Sequence, residues 1–132
     1  MIEIAVSGKE YISIETCEID RGGVSYTIET IDYIKRHYAI HGSPGLIIGD
    51  DLIDGFHKWK HVDELAKLVD IVVAHRITGD NLNFDVEHTY LKNPIIKASS
   101  TDIRELLKNG KDVDAYLPQG VIKYIEEYGL YK

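Results

Sequence analysis

Two short apolar runs with one amphipathic helix between them constrain this chain more than any other feature. Leu46–Ile48 is bounded by glycines on both sides, and Ile71–Ala74 is a second run of the same kind. Between them, the apolar residues of Val62–Val69 recur at i, i+3, i+4 and i+7, the spacing of an amphipathic helix. Apolar runs of this length are typical of parallel strands buried on both faces. The order strand, helix, strand therefore predicts an α/β fold with a parallel sheet.

The remaining segments predict further elements around this unit. Alternating apolar and polar residues over Tyr11–Ile19 favour a strand, and the polar stretch Thr78–Asn93 indicates an irregular surface excursion. Helical spacing, capping residues and terminal glycines predict three more helices, and a short apolar run predicts a last strand. These helices are Tyr26–His37, a helix from Ser99 to Asn109 and one from Pro118 to Gly129, and the strand is Pro94–Lys97.

Composition limits the class of protein. With 132 residues, 44% of them hydrophobic, the chain predicts one soluble domain over residues 1–132. The formal charge of −7 argues against a broad nucleic-acid footprint and against binding to an anionic membrane surface. Cys17 is the only cysteine, which excludes an internal disulfide. No apolar stretch approaches the length of a membrane span, so we expect a cytoplasmic protein.

The segment Ala98–Arg104 places three hydroxyls at a predicted helix start, with an arginine one turn later. Free backbone N–H groups and the positive end of the helix dipole favour phosphate at such a position. Ser99 with Asp102 three residues later also fits a simple capping box, which needs no ligand. From the residues alone, both interpretations stay open.

Other candidate residues follow the predicted strands or stand out by type. Asp50 and Asp51 follow the first buried strand, at the sheet edge where α/β proteins bind ligands, although an acidic pair there is also typical of a solvated turn. Trp59 is either a core residue or a partly exposed stacking surface between two lysines. His57 and His61 have no further ligand at a familiar spacing, so we predict no metal site.

Four segments follow one another in a fixed order along the chain: Ser25–Thr30, Ile48–Asp51 with His57–Trp59, Val72–Arg76 and Ser99–Arg104. Together they resemble the bacterial nicotinate-nucleotide adenylyltransferases of the HxGH nucleotidyltransferase superfamily. The resemblance implies a Rossmann-like nucleotidyltransferase fold and transfer of AMP from MgATP to nicotinate mononucleotide, releasing pyrophosphate and forming the dinucleotide precursor of NAD. Mg²⁺ is implied as the companion of ATP.

The resemblance also implies roles for single residues. Four residues would hold the ATP phosphates, Arg104 among them as the catalytic residue that counters charge on the departing pyrophosphate, while Gly49 and Asp51 would contact ATP at a strand end. Trp59 would stack on the pyridine ring, with the Tyr26–Thr27 segment donating to the nicotinate carboxylate. Arg76 is a candidate for the substrate phosphate, or else an ordinary surface arginine. The four phosphate-binding residues are Ser99, Ser100, Thr101 and Arg104.

The sequence departs from this family at its amino end. It contains no HxGH motif and no glycine-rich strand and loop before it, so we expect a sheet that lacks amino-terminal strands and exposes apolar strand edges. Three explanations remain open. The chain is a truncated adenylyltransferase, a noncatalytic nucleotide-binding module, or a fragment completed by another chain or by self-association through that edge. An enzyme acting on nicotinamide mononucleotide or phosphopantetheine is the alternative in substrate.

Overall fold

The computed structural model describes residues 1–77 and 79–131, and these divide into two compact units. One unit is Thr16–Ile96, and the other combines residues 1–15 with residues 97–131. The described helices and strands are α1 Ile2–Val6, α2 Cys17–Arg21, α3 Thr27–His37, β1 Gly45–Gly49, α4 Val62–Leu68, β2 Asp70–Ala74, β3 His88–Tyr90, α5 Ser100–Lys108 and α6 Gln119–Glu127. That the whole chain is one domain stays a prediction.

The unit Thr16–Ile96 is built on a parallel sheet in the order β1-β2-β3. Gly45 of β1 pairs with Asp70 of β2, and Ile71 of β2 pairs with His88 of β3. Between β1 and β2 the chain forms two 3-10 turns and α4, so the predicted strand, helix, strand order is confirmed. The α/β class and the Rossmann-like parallel sheet follow from this topology.

The core of this unit lies where α3 and α4 cover the sheet. Leu65 of α4 and Val73 of β2 are fully excluded from solvent, and Phe56 in the second 3-10 turn is 1% exposed. Phe56 packs edge-on against Phe84, with ring centroids 5.3 Å apart, and tilted against Trp59 at 4.9 Å. This packing fixes the turn that carries Trp59 to the hydrophobic core.

β1 lies at one edge of the described sheet, and Ile47 at its centre is 66% exposed. Edge strands with unpaired backbone groups and exposed apolar side chains are prone to pair with another strand. Self-association through this edge stays a prediction.

The second unit consists of three helices. α1 lies against α6 so closely that a Cβ added at Gly120 would come within 2.7 Å of the Ile4 side chain. α6 buries Val121, Ile122 and Ile125, and its N-cap is Pro118, so the predicted terminal helix is confirmed. The sequence analysis did not predict α1.

Three expectations from the sequence were wrong. Most of Tyr11–Ile19 has no described strand partner, and from Cys17 the chain forms α2, which buries that cysteine. The stretch predicted as irregular contains β3, and Thr78 at its start lies outside the described residues. Pro94–Lys97 forms no strand, because Pro94 lacks the N–H that a ladder needs and nothing described pairs with the run.

The remaining helix predictions are confirmed. α3 ends in Lys35, Arg36 and His37, the basic residues that favour the negative end of a helix dipole. α5 begins after Ser99 and ends at Lys108 before Asn109. Within the described residues, no helix is long and apolar enough to cross a membrane.

Candidate functional site

A buried carboxylate lies where β1 ends. Asp50 is 2% exposed, and its Oδ1 accepts hydrogen bonds from the backbone N–H groups of Arg76, at 2.8 Å, and Ile77, at 3.0 Å. These two residues follow β2, which neighbours β1 in the sheet. Asp50 therefore joins the carboxyl ends of two strands through a single oxygen atom.

Asp51, Arg76 and Gly49 pack together beside this carboxylate. Arg76 Nη1 donates to Asp51 Oδ2 at 2.9 Å, while the Arg76 side chain stays 60% exposed. A Cβ at Gly49 would lie 2.1 Å from Asp51 Oδ1 and 2.6 Å from Arg76 Cδ. Gly49 is thus the residue that lets the paired side chains lie across the end of β1.

Asn93, which follows β3, bonds the end of β2 from the side opposite to Asp50. Its Oδ1 accepts from the His75 backbone N–H at 3.0 Å, and its Nδ2 donates to the His75 carbonyl at 2.9 Å. The His75 ring stacks on Tyr90 of β3, with centroids 5.0 Å apart and planes 11° from parallel. His75 Nδ1 is buried 3.9 Å from Asp50 Oδ2, beyond hydrogen-bond distance.

A separate pocket of about 260 Å³ lies between the start of α3 and the turn that carries Trp59. Trp59 is half-buried, and the residues on either side of it, Lys58 and Lys60, also line the pocket. The other lining residues are Ser25, Tyr26, Thr27 and Leu65. The structure thus brings together the two segments that the sequence analysis assigned to nicotinate.

Lys60 is tied to the start of α3. Its Nζ lies 4.1 Å from the centroid of the Tyr26 ring and donates to Glu29 Oε1 at 2.6 Å. The hydrogen bond and charge of Lys60, with the charge of Arg21, hold the pKa of the Glu29 carboxyl below its usual value. Glu29 remains ionised at neutral pH and fixes the lysine over the tyrosine ring.

The predicted phosphate-binding segment lies in the other unit, at the start of α5. Ser99 and Asp102 form a capping box: Ser99 Oγ accepts from the Asp102 N–H at 3.1 Å, and Asp102 Oδ2 accepts from the Ser99 N–H at 3.0 Å. These bonds and the one from the Ser99 hydroxyl lower the pKa of Asp102. The capping interpretation left open by the sequence is therefore realised.

The next hydroxyls of α5 face its arginine. Arg104 Nη2 lies 3.4 Å from Ser100 Oγ and 3.5 Å from Thr101 Oγ1, at the long limit of hydrogen bonding, and all three residues are exposed. Two hydroxyls and a guanidinium within one turn form a compact donor surface for phosphate oxygens. Ser99, in contrast, has its side chain engaged in the cap.

The structure groups the predicted site residues into three local sets. Sequence reasoning placed Asp51 with ATP and Arg76 with the other substrate, yet the two side chains pair directly. It missed the parts played by Asp50, Lys60 and Asn93. A buried aspartate directly after a strand could have been suspected as a network residue, but its partners are 26 and 27 residues away.

Among the described residues, no group of three or more His, Cys, Asp or Glu side chains is placed to hold a metal ion.

Comparisons with known proteins converge on one family. The cytidylyltransferase-like family model matches residues 1–106. A probable nicotinate-nucleotide adenylyltransferase of Borreliella afzelii is 41% identical over 99% of this chain and 67% of its own length. Proteins of the same description from Lactiplantibacillus plantarum and Streptococcus pyogenes serotype M1 are 37% and 36% identical over the whole chain and 62% of their length. The chain thus spans about two thirds of the length of these relatives.

Proposed function

Because this chain belongs to the nucleotidyltransferases of the cytidylyltransferase-like family, with the nicotinate-nucleotide adenylyltransferases among its relatives, we propose that it binds nicotinate mononucleotide and ATP for adenylyl transfer. In this reaction a phosphate oxygen of the mononucleotide attacks the α-phosphorus of ATP. The bond from that phosphorus to the bridging oxygen of the β-phosphate breaks, and pyrophosphate leaves. The residues of this chain bind and orient the reactants.

The pocket at Trp59 is the observation that carries the proposal. Tyr26 and Thr27 meet Trp59 there, although Thr27 and the tryptophan are 32 positions apart in the sequence. A half-buried indole offers a face to a flat, positively charged pyridinium ring. Phe56 packs behind the indole and holds it at the pocket.

The charges around this pocket favour nicotinate over nicotinamide. Lys58 and Lys60 line it, and although Lys60 is paired with Glu29, none of the lining residues is itself acidic. The first turn of the 11-residue helix α3 also lies there and adds the positive end of its dipole. A carboxylate on the pyridine ring gains from these charges, whereas a neutral carboxamide gains much less.

The pair formed by Asp51 and Arg76 offers an acceptor for ribose hydroxyls and donors for a phosphate. Asp51 accepts hydrogen bonds, which ribose hydroxyls donate, and the exposed guanidinium of Arg76 has donors left for an anionic oxygen. Ribose hydroxyls of one reactant and the phosphate of the other therefore satisfy both members of the pair. We assign Arg76 to the phosphate of nicotinate mononucleotide and Asp51 to ribose hydroxyls of ATP.

The start of α5 supplies donors for the triphosphate. Ser100 and Thr101 offer hydroxyls, Arg104 counters the charge that develops on departing pyrophosphate, and Ser99 keeps the first turn formed. Mg²⁺ enters bound to ATP, as part of that substrate.

The test exploits the fact that Trp59 is the only tryptophan of the chain, so that its fluorescence reports on one site. We expect nicotinate mononucleotide to quench this fluorescence, and nicotinamide mononucleotide to bind at least about tenfold more weakly because it lacks the charge. Lys60→Met should reduce this preference, with Lys67→Met, on the exposed face of α4, as the matched control.

Catalysis is measured separately, as pyrophosphate release from MgATP with nicotinate mononucleotide. This chain is compared with a version that carries an amino-terminal HxGH segment. Release that requires the HxGH segment and falls with Arg104→Ala supports adenylyl transfer. Binding without release in either version favours a noncatalytic nucleotide-binding module, and the absence of binding contradicts the proposal.

A further inference from the structure

Asp50 is buried, ionisable and without a part in the function proposed above. We propose that Asp50 is a positioning residue that sets Arg76 for the substrate phosphate, with Asn93 as the second support of the same strand end. This inference rests on the proposed function, in which Arg76 binds that phosphate. It assigns a role to the residue between Gly49 and Asp51.

The contacts of Asp50 fix the backbone from which the Arg76 side chain extends. One carboxylate oxygen accepts two consecutive N–H groups, at 2.8 and 3.0 Å, which restricts the backbone dihedral angles of Arg76. Loss of this one oxygen would leave both N–H groups without their acceptor. The side chain of Asp50 is itself fully shielded from solvent.

Asn93 fixes the preceding residue. Its carboxamide bonds both the N–H and the carbonyl of His75, and the His75 ring is held against Tyr90. The backbone on both sides of the Arg76 Cα is therefore tied by side chains from two different strand ends. The guanidinium of Arg76 itself bonds Asp51.

This arrangement affects the free energy of phosphate binding, because arginine has a long and mobile side chain. An arginine with a free backbone loses freedom when it binds a phosphate, and this loss weakens binding. With its backbone anchored and Nη1 held by Asp51, Arg76 retains few alternatives while its remaining donors stay exposed. Removing Asp50 should therefore weaken binding of the phosphate group and leave binding of the pyridine ring unchanged.

The test measures the affinity of the chain for nicotinate mononucleotide and for nicotinate riboside, which lacks the phosphate. The ratio of the two affinities isolates the phosphate. We expect Arg76→Ala and Asp50→Ala each to lower this ratio about tenfold, and the double variant to lower it no further than Arg76→Ala alone. Asp50→Asn, which keeps an oxygen acceptor, should stay within about threefold of the original chain.

Equal losses for both ligands in Asp50→Ala, or a full additional loss in the Arg76→Ala background, would overturn the inference by showing a general structural effect. No phosphate effect in Arg76→Ala would overturn it as well, by removing the residue through which Asp50 acts. Failure of the unaltered chain to bind either ligand would instead contradict the proposed function, and the inference with it.

Asn93→Ala keeps the test decisive where Asp50→Ala does not fold, as judged by circular dichroism. Asn93 is only part-buried, and its replacement leaves the Asp50 contacts in place. We expect this variant to lower the phosphate-dependent ratio about threefold without changing riboside affinity. An unchanged ratio in a folded Asn93→Ala chain would overturn the inference.

Discussion

The end of β1 and the start of α5 both gather groups suited to phosphate and sugar, yet they are built in opposite ways. At the end of β1, Asp50 is buried and bonds residues 26 and 27 positions away. At the start of α5, Ser99 bonds Asp102 only three positions away, and Asp102 is exposed. The first arrangement requires the sheet to form, whereas the second requires only one helical turn.

This difference predicts that the first site affects the stability of the fold, whereas the second affects only the order of one helix end. Loss of the buried carboxylate removes the two bonds that join the ends of β1 and β2, so the sheet as a whole is destabilised. Loss of an exposed cap frays one helix end, where water satisfies the freed N–H groups. The following variants test this contrast, beginning with the largest expected effect.

Asp50→Ala should lower the free energy of unfolding by about 3 kcal/mol, because two backbone N–H groups lose a fully buried acceptor that joins two strand ends. Urea unfolding measures this change. Asp50→Asn is the control and should cost about 1 kcal/mol, since its amide oxygen still accepts. Small and similar losses of unfolding free energy in both variants would show that the contacts at the end of β1 contribute no more to stability than an exposed helix cap.

Ser99→Ala should cost about 1 kcal/mol, the usual contribution of a helix cap. Hydrogen exchange should show the loss confined to the first turn of α5, with the amides of β2 unaffected. Ser43→Ala, in an exposed loop, is the matched control. Faster exchange throughout both units would contradict the local character of the cap.

Gly49→Ala should change the free energy of unfolding by less than about 1 kcal/mol, because alanine tolerates the extended backbone there and the atoms it displaces belong to two movable side chains. A crystal structure of the variant should show Asp51 and Arg76 separated from their 2.9 Å contact. A retained pair would mean that the close approach at Gly49 is not needed for pairing.

Protonation of Asp102 should have the smallest effect on stability. Its pKa is lowered by the hydrogen bonds from Ser99, so the cap is fully formed above the ordinary aspartate pKa, about 3.9, and is lost as the pH falls through the lowered value. An NMR titration of this carboxyl in the original chain and in Ser99→Ala should show the pKa rising in the variant. Identical titrations would remove Ser99 as the cause.

The same contrast explains what the sequence could predict. The bounds of α5, the capping box and the alternation of β1, α4 and β2 follow from spacings of two to four residues, and all were predictable. The partners of Asp50 and Asn93 depend on which strands become neighbours, and sequence spacing carries no such information. The predicted strand over Tyr11–Ile19 failed for the same reason, because alternation cannot show whether a partner strand exists.

The contact between Asn93 and His75 has a consequence for the length of the sheet. A carboxamide has the same donor and acceptor as a peptide group, and Asn93 presents both to the backbone at the residue after β2 ends. The preceding rung is an ordinary one, from the Leu91 N–H to the Val73 carbonyl at 2.8 Å. The asparagine side chain thus imitates one more residue of the neighbouring strand and extends the hydrogen-bond ladder by one rung. The ladder of hydrogen bonds ends at His75, directly before Arg76. The position of the last rung therefore sets the point from which the arginine side chain extends beyond the sheet.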